Sequence, residues 1–177
     1  MEFTQGAPFD SFGLSEATMR AIRNKGYEIS TPVQAGCIHP MLAGKDVIAK
    51  APTGTGKTMA FGIPIIERID PDSEDVQAVI LAPTRELAMQ ITDEMRQIAV
   101  CHEGVRLVCL YGGQPIAKQI NALKRRPQIV VATPGRLSDH MKRRTVTLGQ
   151  VQTVVLDEAD RMLDMGFIHD VTRILDK

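Results

Sequence analysis

Ala51-Pro52-Thr53-Gly54-Thr55-Gly56-Lys57-Thr58 follows the apolar run Val47-Ile48-Ala49. A glycine-rich turn between a strand and a helix presents successive backbone N–H groups. A lysine ammonium reaches over them, so a polyphosphate is held by fixed dipoles and a cation. The Thr58 hydroxyl can ligate magnesium, and a carboxylate at the end of a second strand can hold that ion from the other side. Further along, Val154-Val155-Leu156 runs into Asp157-Glu158-Ala159-Asp160, which supplies such a strand and carboxylate. The strict turn has glycine where this chain has Ala51, but Gly54, Gly56, Lys57 and Thr58 keep register. Binding of a nucleoside triphosphate is the expectation.

Runs rich in Val and Ile recur at Asp46 to Ala49, Ala78 to Ala82, Val105 to Leu110, Ile129 to Ala132 and Val154 to Leu156. These read as strands buried on both faces. Helical patterns fall between them, around Lys57 to Arg68, Glu86 to Val100, Pro115 to Arg125 and Gly135 to Arg143. Strict alternation predicts an α/β fold, a parallel sheet with helices on both sides. Ahead of it, Ser15 caps a helix running to about Lys25, and Thr31-Pro32 starts another, which Pro40 kinks or shortens. In such a sheet ligands bind outside the carboxyl ends of the strands. The glycine-rich loop, Pro83-Thr84-Arg85, Tyr111-Gly112-Gly113, Thr133-Pro134-Gly135-Arg136 and Asp157-Glu158 would all leave that edge.

The 177 residues, 44% of them hydrophobic, suit one globular domain with a core. Lys plus Arg and Asp plus Glu balance at 21 each, so net charge argues for neither nucleic acid nor membrane, and a binding surface has to come from local clustering. Cys37, Cys101 and Cys109 form no Cys-x-x-Cys pair, against a disulfide framework or zinc site and in keeping with a reducing cytosol. No basic region followed by an apolar stretch opens the chain at Met1-Glu2-Phe3-Thr4-Gln5, and no apolar run approaches the ~20 residues of a membrane span. A cytoplasmic protein without a membrane partner is expected. His39, His102, His140 and His169 show no metal-ligand spacing and read as surface or helix-end residues. The basic clusters Lys124-Arg125-Arg126 and Lys142-Arg143-Arg144 read as solvated helix ends.

Taken in order, Pro83-Thr84-Arg85-Glu86-Leu87-Ala88, Gly112-Gly113, Thr133-Pro134-Gly135-Arg136 and Asp157-Glu158-Ala159-Asp160 resemble the first RecA-like domain of DEAD-box ATP-dependent RNA helicases. Upstream, Gly26-Tyr27-Glu28-Ile29-Ser30-Thr31-Pro32-Val33-Gln34 looks like that family's Q motif, and Phe9 stands where the family places an isolated aromatic. On this resemblance, residues 1–36 form an N-terminal extension with the Q motif, and 37–177 form an incomplete RecA-like domain. The resemblance implies that ATP and magnesium are bound. Gln34 would hydrogen-bond the adenine edge, to which an amide offers a donor and an acceptor together. Phe9 and Tyr27 would lie at the base, and Thr53, Gly54, Thr55, Gly56 and Lys57 at the phosphates. Thr58 and Asp157 would hold the metal, and Glu158 would orient or deprotonate the attacking water. The plainer reading of Asp157 and Glu158 is a cap on the following helix.

For Pro83, Thr84, Arg85, Gly113, Thr133, Gly135 and Arg136 the resemblance implies a grip on the phosphodiester backbone of single-stranded RNA or a short RNA duplex, without base reading. The plainer reading of Arg85 and Arg136 is exposed helix-start arginines paired with carboxylates. The chain reaches Lys177 before the family's Ser-Ala-Thr segment and before a second RecA-like domain, whose arginines would reach the gamma-phosphate. This chain alone is therefore expected to bind nucleotide, with little turnover and no unwinding. A non-catalytic, ATP-gated RNA clamp would use the same pocket. A small-molecule P-loop kinase would leave the Pro-Thr-Arg and Thr-Pro-Gly-Arg segments unexplained.

Overall fold

The computed structural model describes residues 5–177. Met1 to Thr4, part of the terminus read above as lacking a leader, lie outside the described residues. Two compact units divide the chain. One comprises the chain up to Ile69 together with Glu94–Glu103, the other Asp70–Asp93 together with Gly104–Lys177.

In the first unit a 3-10 turn (Phe9–Phe12) precedes α1 (Glu16–Asn24), α2 (Pro32–Leu42) and α3 (Lys57–Arg68), and the last turns of α4 (Arg85–Ala99) complete it. The caps fall where the sequence puts them. The Ser15 hydroxyl accepts from the Thr18 N–H at the start of α1. Thr31 and Gln34 form a reciprocal capping box on α2, with Pro32 in its first turn. Pro40 is accommodated inside α2, which ends two residues later. Helices α2 and α3 pack against each other. A Cβ on Gly62 of α3 would lie 2.7 Å from Met95 Sδ and 2.9 Å from Ile98 Cδ1, so glycine lets the end of α4 approach the α3 backbone.

The second unit holds the sheet. Strands β1 (Ala78–Leu81), β2 (Leu107–Leu110), β3 (Ile129–Ala132) and β4 (Thr153–Leu156) are all parallel, in the order β2-β3-β1-β4. The inner strands β1 and β3 are buried at every position, as strands covered on both faces must be. On one face Val79, Leu81, Val108, Leu110, Val130 and Ala132 share a core with Leu123 of α5 (Ile116–Leu123) and Leu137 of α6 (Pro134–Lys142). Met162 of α7 (Ala159–Asp164) and Val171 and Ile174 of α8 (Ile168–Leu175) complete it. Burying each such side chain stabilises by about 1.5–3 kcal/mol. Strand-helix alternation thus yields the expected α/β fold, a parallel sheet flanked by helices.

Two expectations about strands need correction. Asp46 to Ala49 is not a strand, its four residues are exposed, and Ile48 is fully so. A strand exists only as the hydrogen-bonded neighbour of another, and this segment pairs with none of the four. Nor is burial on both faces general, because β4 ends the strand order and carries exposed Val154 and Leu156. Among the described residues, no helix is long and apolar enough to cross a membrane.

Register sets where the loops leave the sheet. Leu81 pairs with both Ala132 and Leu156, and Leu110 pairs with Ala132. All four strands therefore finish on one rung, and their following loops leave the sheet at the same level.

Candidate functional site

The glycine-rich loop belongs to the first unit, where it follows a segment without regular secondary structure and not the strand expected from its sequence. Gly54 and Gly56 have φ of 82° and 79°, a left-handed conformation that costs other L-residues about 1–2 kcal/mol. The Thr55 hydroxyl donates to the Pro52 carbonyl at 2.7 Å. Helix α3 starts immediately after Gly56, whose carbonyl accepts from the Ala60 N–H at 3.2 Å. The N–H groups of Lys57, Thr58 and Met59 precede that first helical bond, so they point out of the helix start, where an anion is favoured. Thr53 and Gly54 are exposed, and Thr55, Lys57 and Thr58 half-buried.

Gln34 ties this loop to α2. Its Oε1 accepts from the Thr31 N–H at 2.9 Å and its Nε2 donates to the Gly56 carbonyl at 3.1 Å, which fixes the orientation of the amide. One Nε2 hydrogen and one Oε1 lone pair remain for a further partner, on a side chain only 4% exposed. Phe9 is buried at 1% exposure, with its N–H on the Glu28 carbonyl at 3.0 Å and its ring 6.1 Å from that of Phe12. It sits as an anchor of the first unit's core. Tyr27 is exposed, with the Lys25 ammonium 5.8 Å from its ring centroid.

A Cβ on Gly56 would stand 2.3 Å from Gln34 Nε2. Gly56→Ala is therefore expected to combine left-handed strain of about 1–2 kcal/mol with loss of the Gln34 bond. A lower melting temperature and weaker adenine-nucleotide binding, measured by thermal denaturation and titration, are the expected outcome. Unchanged values would remove the tie from its assigned importance.

In the second unit the remaining candidates leave the common rung. Pro83 is buried, and the Thr84 hydroxyl accepts from the Leu87 N–H at 3.2 Å, capping α4. Arg85 is exposed on the first turn of α4, its guanidinium 4.9 Å from the Tyr111 ring centroid. Gly113 has φ of 87°, and a Cβ there would be 3.8 Å from Arg85 Nη1. Thr133 donates its N–H to the Leu110 carbonyl at 3.0 Å and precedes Pro134, Gly135 and Arg136 at the start of α6. The Asp157 N–H donates to the Leu81 carbonyl at 2.9 Å. Pro83-Thr84-Arg85, Gly113, Thr133-Pro134-Gly135-Arg136 and Asp157-Glu158 are thus brought to one sheet edge.

Glu158 adopts φ 52° and ψ 49° at the start of α7 and makes no side-chain cap, so the plainer cap reading fails for it. Its carboxylate meets Arg161 Nη1 at 3.1 Å. Arg136 differs from its plainer reading too, because Nη1 donates to the Gln114 carbonyl at 2.9 Å and to Gln119 Oε1 at 3.2 Å instead of pairing with a carboxylate. The basic clusters lie at the ends of α5 and α6 and are exposed, with Arg126 and Arg144 in left-handed conformation.

Sequence reading missed Gln119 and His140. His140 stands at a helix end as expected, but it is fully buried, with Nε2 2.9 Å from Gln119 Oε1 and Nδ1 2.7 Å from the Thr145 hydroxyl. Burial first, and then the Arg136 guanidinium, hold its pKa below the usual imidazole range. Burial likewise lowers His102, opposed by Glu67, and raises the Cys37 thiol.

No group of three or more His, Cys, Asp or Glu that could hold a metal occurs among the described residues. Thr58 in the first unit carries a hydroxyl oxygen and Asp157 in the second a carboxylate, and oxygen donors of either kind suit magnesium, which is bound through one or two protein oxygens with substrate phosphates and water completing its shell.

A parallel sheet with polar loops on one rung and a separate glycine-rich helix start define a nucleotide-binding α/β domain of the RecA-like type. The DEAD/DEAH box helicase family profile matches residues 31–177, and the chain belongs to that family. It is 53% identical over 167 residues to the DEAD-box ATP-dependent RNA helicase CshA of Bacillus subtilis, covering 94% of this chain and 34% of that protein. To the ATP-dependent RNA helicase CshA of Listeria monocytogenes it is 52% identical, over 94% of this chain and 32% of that one. A solved DEAD box protein from the hyperthermophile Methanococcus jannaschii matches with a TM-score of 0.91 at 43% identity, over 97% of this chain and 47% of that one. The chain thus spans about a third of the length of the curated relatives.

Proposed function

We propose that this chain is the first RecA-like domain of an ATP-dependent RNA helicase, whose full-length form couples ATP hydrolysis to RNA binding and local strand separation. The observation that carries the reading is the shared rung of Leu81, Leu110, Ala132 and Leu156. It supports one continuous backbone grip by Pro83, Thr84, Arg85, Gly113, Thr133, Gly135 and Arg136. Arginine and hydroxyl donors, backbone amides and glycines permitting close approach are what sequence-independent phosphate contact requires.

Lys57 and the helix-start amides would hold the outer phosphates, Gln34 would offer its remaining donor and acceptor to adenine, and Phe9 and Tyr27 would border the base. Thr58 and Asp157 are the metal-holding oxygens in this reading, Asp157 through water. Bound magnesium would neutralise charge on the phosphate oxygens. Glu158 would orient or accept a proton from the attacking water, and positioning and charge neutralisation would supply most of the rate. Residues 1–36 act as the extension carrying Gln34, and a second RecA-like domain supplies the arginines for the gamma-phosphate. An arginine of that kind contributes ~1000-fold or more, so this chain alone binds nucleotide with little turnover. A reducing cytosol suits Cys37, Cys101 and Cys109, which are thiols outside any disulfide.

The test is ATP hydrolysis by the full-length protein with and without RNA, alongside separation of a short duplex. Stimulated hydrolysis with strand separation is expected. RNA binding and ATP binding without strand separation would favour a clamp instead. For the grip itself, Arg85→Ala is expected to weaken RNA binding across all sequences and reduce the salt slope by about 0.7. A change confined to one RNA sequence would contradict backbone recognition.

A further inference from the structure

We infer that Gln119 and His140, buried beneath the loop after β2, are positioning residues for the RNA grip. The inference rests on the reading above and gives it a mechanism. Gln119 Nε2 donates to the Tyr111 carbonyl at 2.8 Å. Its Oε1 therefore faces the other way and accepts from both His140 Nε2 at 2.9 Å and Arg136 Nη1 at 3.2 Å. Arg136 Nη1 also donates to the Gln114 carbonyl at 2.9 Å. The turn from Tyr111 to Gln114 is thus held from below at both ends, by carbonyls that leave its own N–H groups uncommitted to this network.

The imidazole is fixed in turn. With Gln119 Oε1 as an acceptor, Nε2 carries the proton, and Nδ1 takes the single hydrogen of the Thr145 hydroxyl at 2.7 Å in preference to the His140 carbonyl 3.1 Å from that oxygen. Thr145 is placed by the end of α6, where its N–H reaches the His140 carbonyl at 3.0 Å and the Arg144 N–H reaches Met141 at 3.0 Å. That pair of bonds closes a helix terminus around a left-handed residue, here Arg144 with φ 58°. Gln119 is 1% exposed and His140 0%, so neither touches a nucleic acid.

The network bears on three grip residues together. Tyr111 supplies the ring on which the Arg85 guanidinium rests, Gly113 lies inside the held turn, and Arg136 spends one nitrogen on the network. Buried amides and imidazoles that satisfy one another hold a single arrangement, since losing one partner strands the rest. A preorganised turn binds phosphate without the cost of ordering it.

The experiment compares full-length wild type with Gln119→Leu, Gln119→Glu, His140→Leu and His140→Gln. Affinity for single-stranded RNA and for a non-hydrolysable ATP analogue, together with the melting temperature, are the readouts. Gln119→Glu keeps the acceptor and loses the donor to Tyr111, and serves where Gln119→Leu fails to fold. His140→Gln can keep an N–H near the Nε2 position. Expected are about tenfold weaker RNA binding for Gln119→Leu, Gln119→Glu and His140→Leu, unchanged analogue binding, and recovery of RNA affinity in His140→Gln. Equal losses of RNA and analogue affinity in step with melting temperature would mean a role in stability alone and overturn the inference. So would unchanged RNA binding by the Gln119 variants while Arg85→Ala still weakens it, with the grip reading intact. Wild type that bound no RNA would overturn both.

Discussion

Lys57→Ala is expected to weaken binding of adenine nucleotide by this chain by about one to two orders of magnitude. Lys57 is the first residue of α3, half-buried beside N–H groups that precede the helical ladder. Two effects attract an anion there. The helix start contributes about 0.3–1 kcal/mol, and a charge-assisted hydrogen bond from the ammonium about 1.5–3 kcal/mol. The side chain therefore outweighs the dipole, and its removal dominates while the backbone cradle survives. Titration with a fluorescent adenine nucleotide reads this directly. Lys57→Arg separates charge from shape: it keeps the cation but replaces a compact ammonium by a planar fork, and intermediate affinity is expected. Affinity unchanged in Lys57→Ala would take this lysine out of the phosphate site.

In the full-length protein, Glu158→Gln should leave nucleotide and RNA affinity within about twofold of wild type and lower hydrolysis by 100-fold or more. A general base contributes typically 10²–10⁴-fold, and an amide of the same shape cannot accept the proton. Glu158 stands directly after Asp157 in a left-handed conformation, with no side-chain cap to justify it. Such a backbone is strained by about 1–3 kcal/mol and persists only where its surroundings impose it. The one ionic partner described for it, Arg161, pairs at a surface where the contact is worth about 0–1 kcal/mol, too little to explain the strain. Single-turnover hydrolysis alongside equilibrium binding separates the two steps. Wild-type turnover by the variant would assign the proton transfer elsewhere.

Much of the fold was legible because its signals are local. Ser15 and Thr31-Pro32 declare helix starts through hydrogen bonds within three residues. The runs of β1 and β3 declare buried strands through composition. Asp46 to Ala49 carries the same composition and fails, because apolar character reports a preference for burial while strandhood needs a neighbour from elsewhere in the chain. Gln34 was read for its amide chemistry, yet that amide also caps α2 and holds Gly56. The pairing of His140 with Gln119 left no local trace, since the two lie 21 positions apart and meet only through the fold. The conformation of Glu158 was equally hidden, glutamate having no preference for a left-handed backbone.

The common finishing rung of the four strands has a consequence for how damage to the core would present. Slipping any strand by one residue shifts its loop by about 3.3 Å and turns its side chains to the opposite face. Intermediate placements do not exist, so a lesion such as Leu81→Ala or Val130→Ala should lower the fraction of competent molecules in a preparation while the competent ones retain full strength. Such variants would saturate at reduced stoichiometry with an ordinary midpoint, and so be told apart from lesions of the loops themselves.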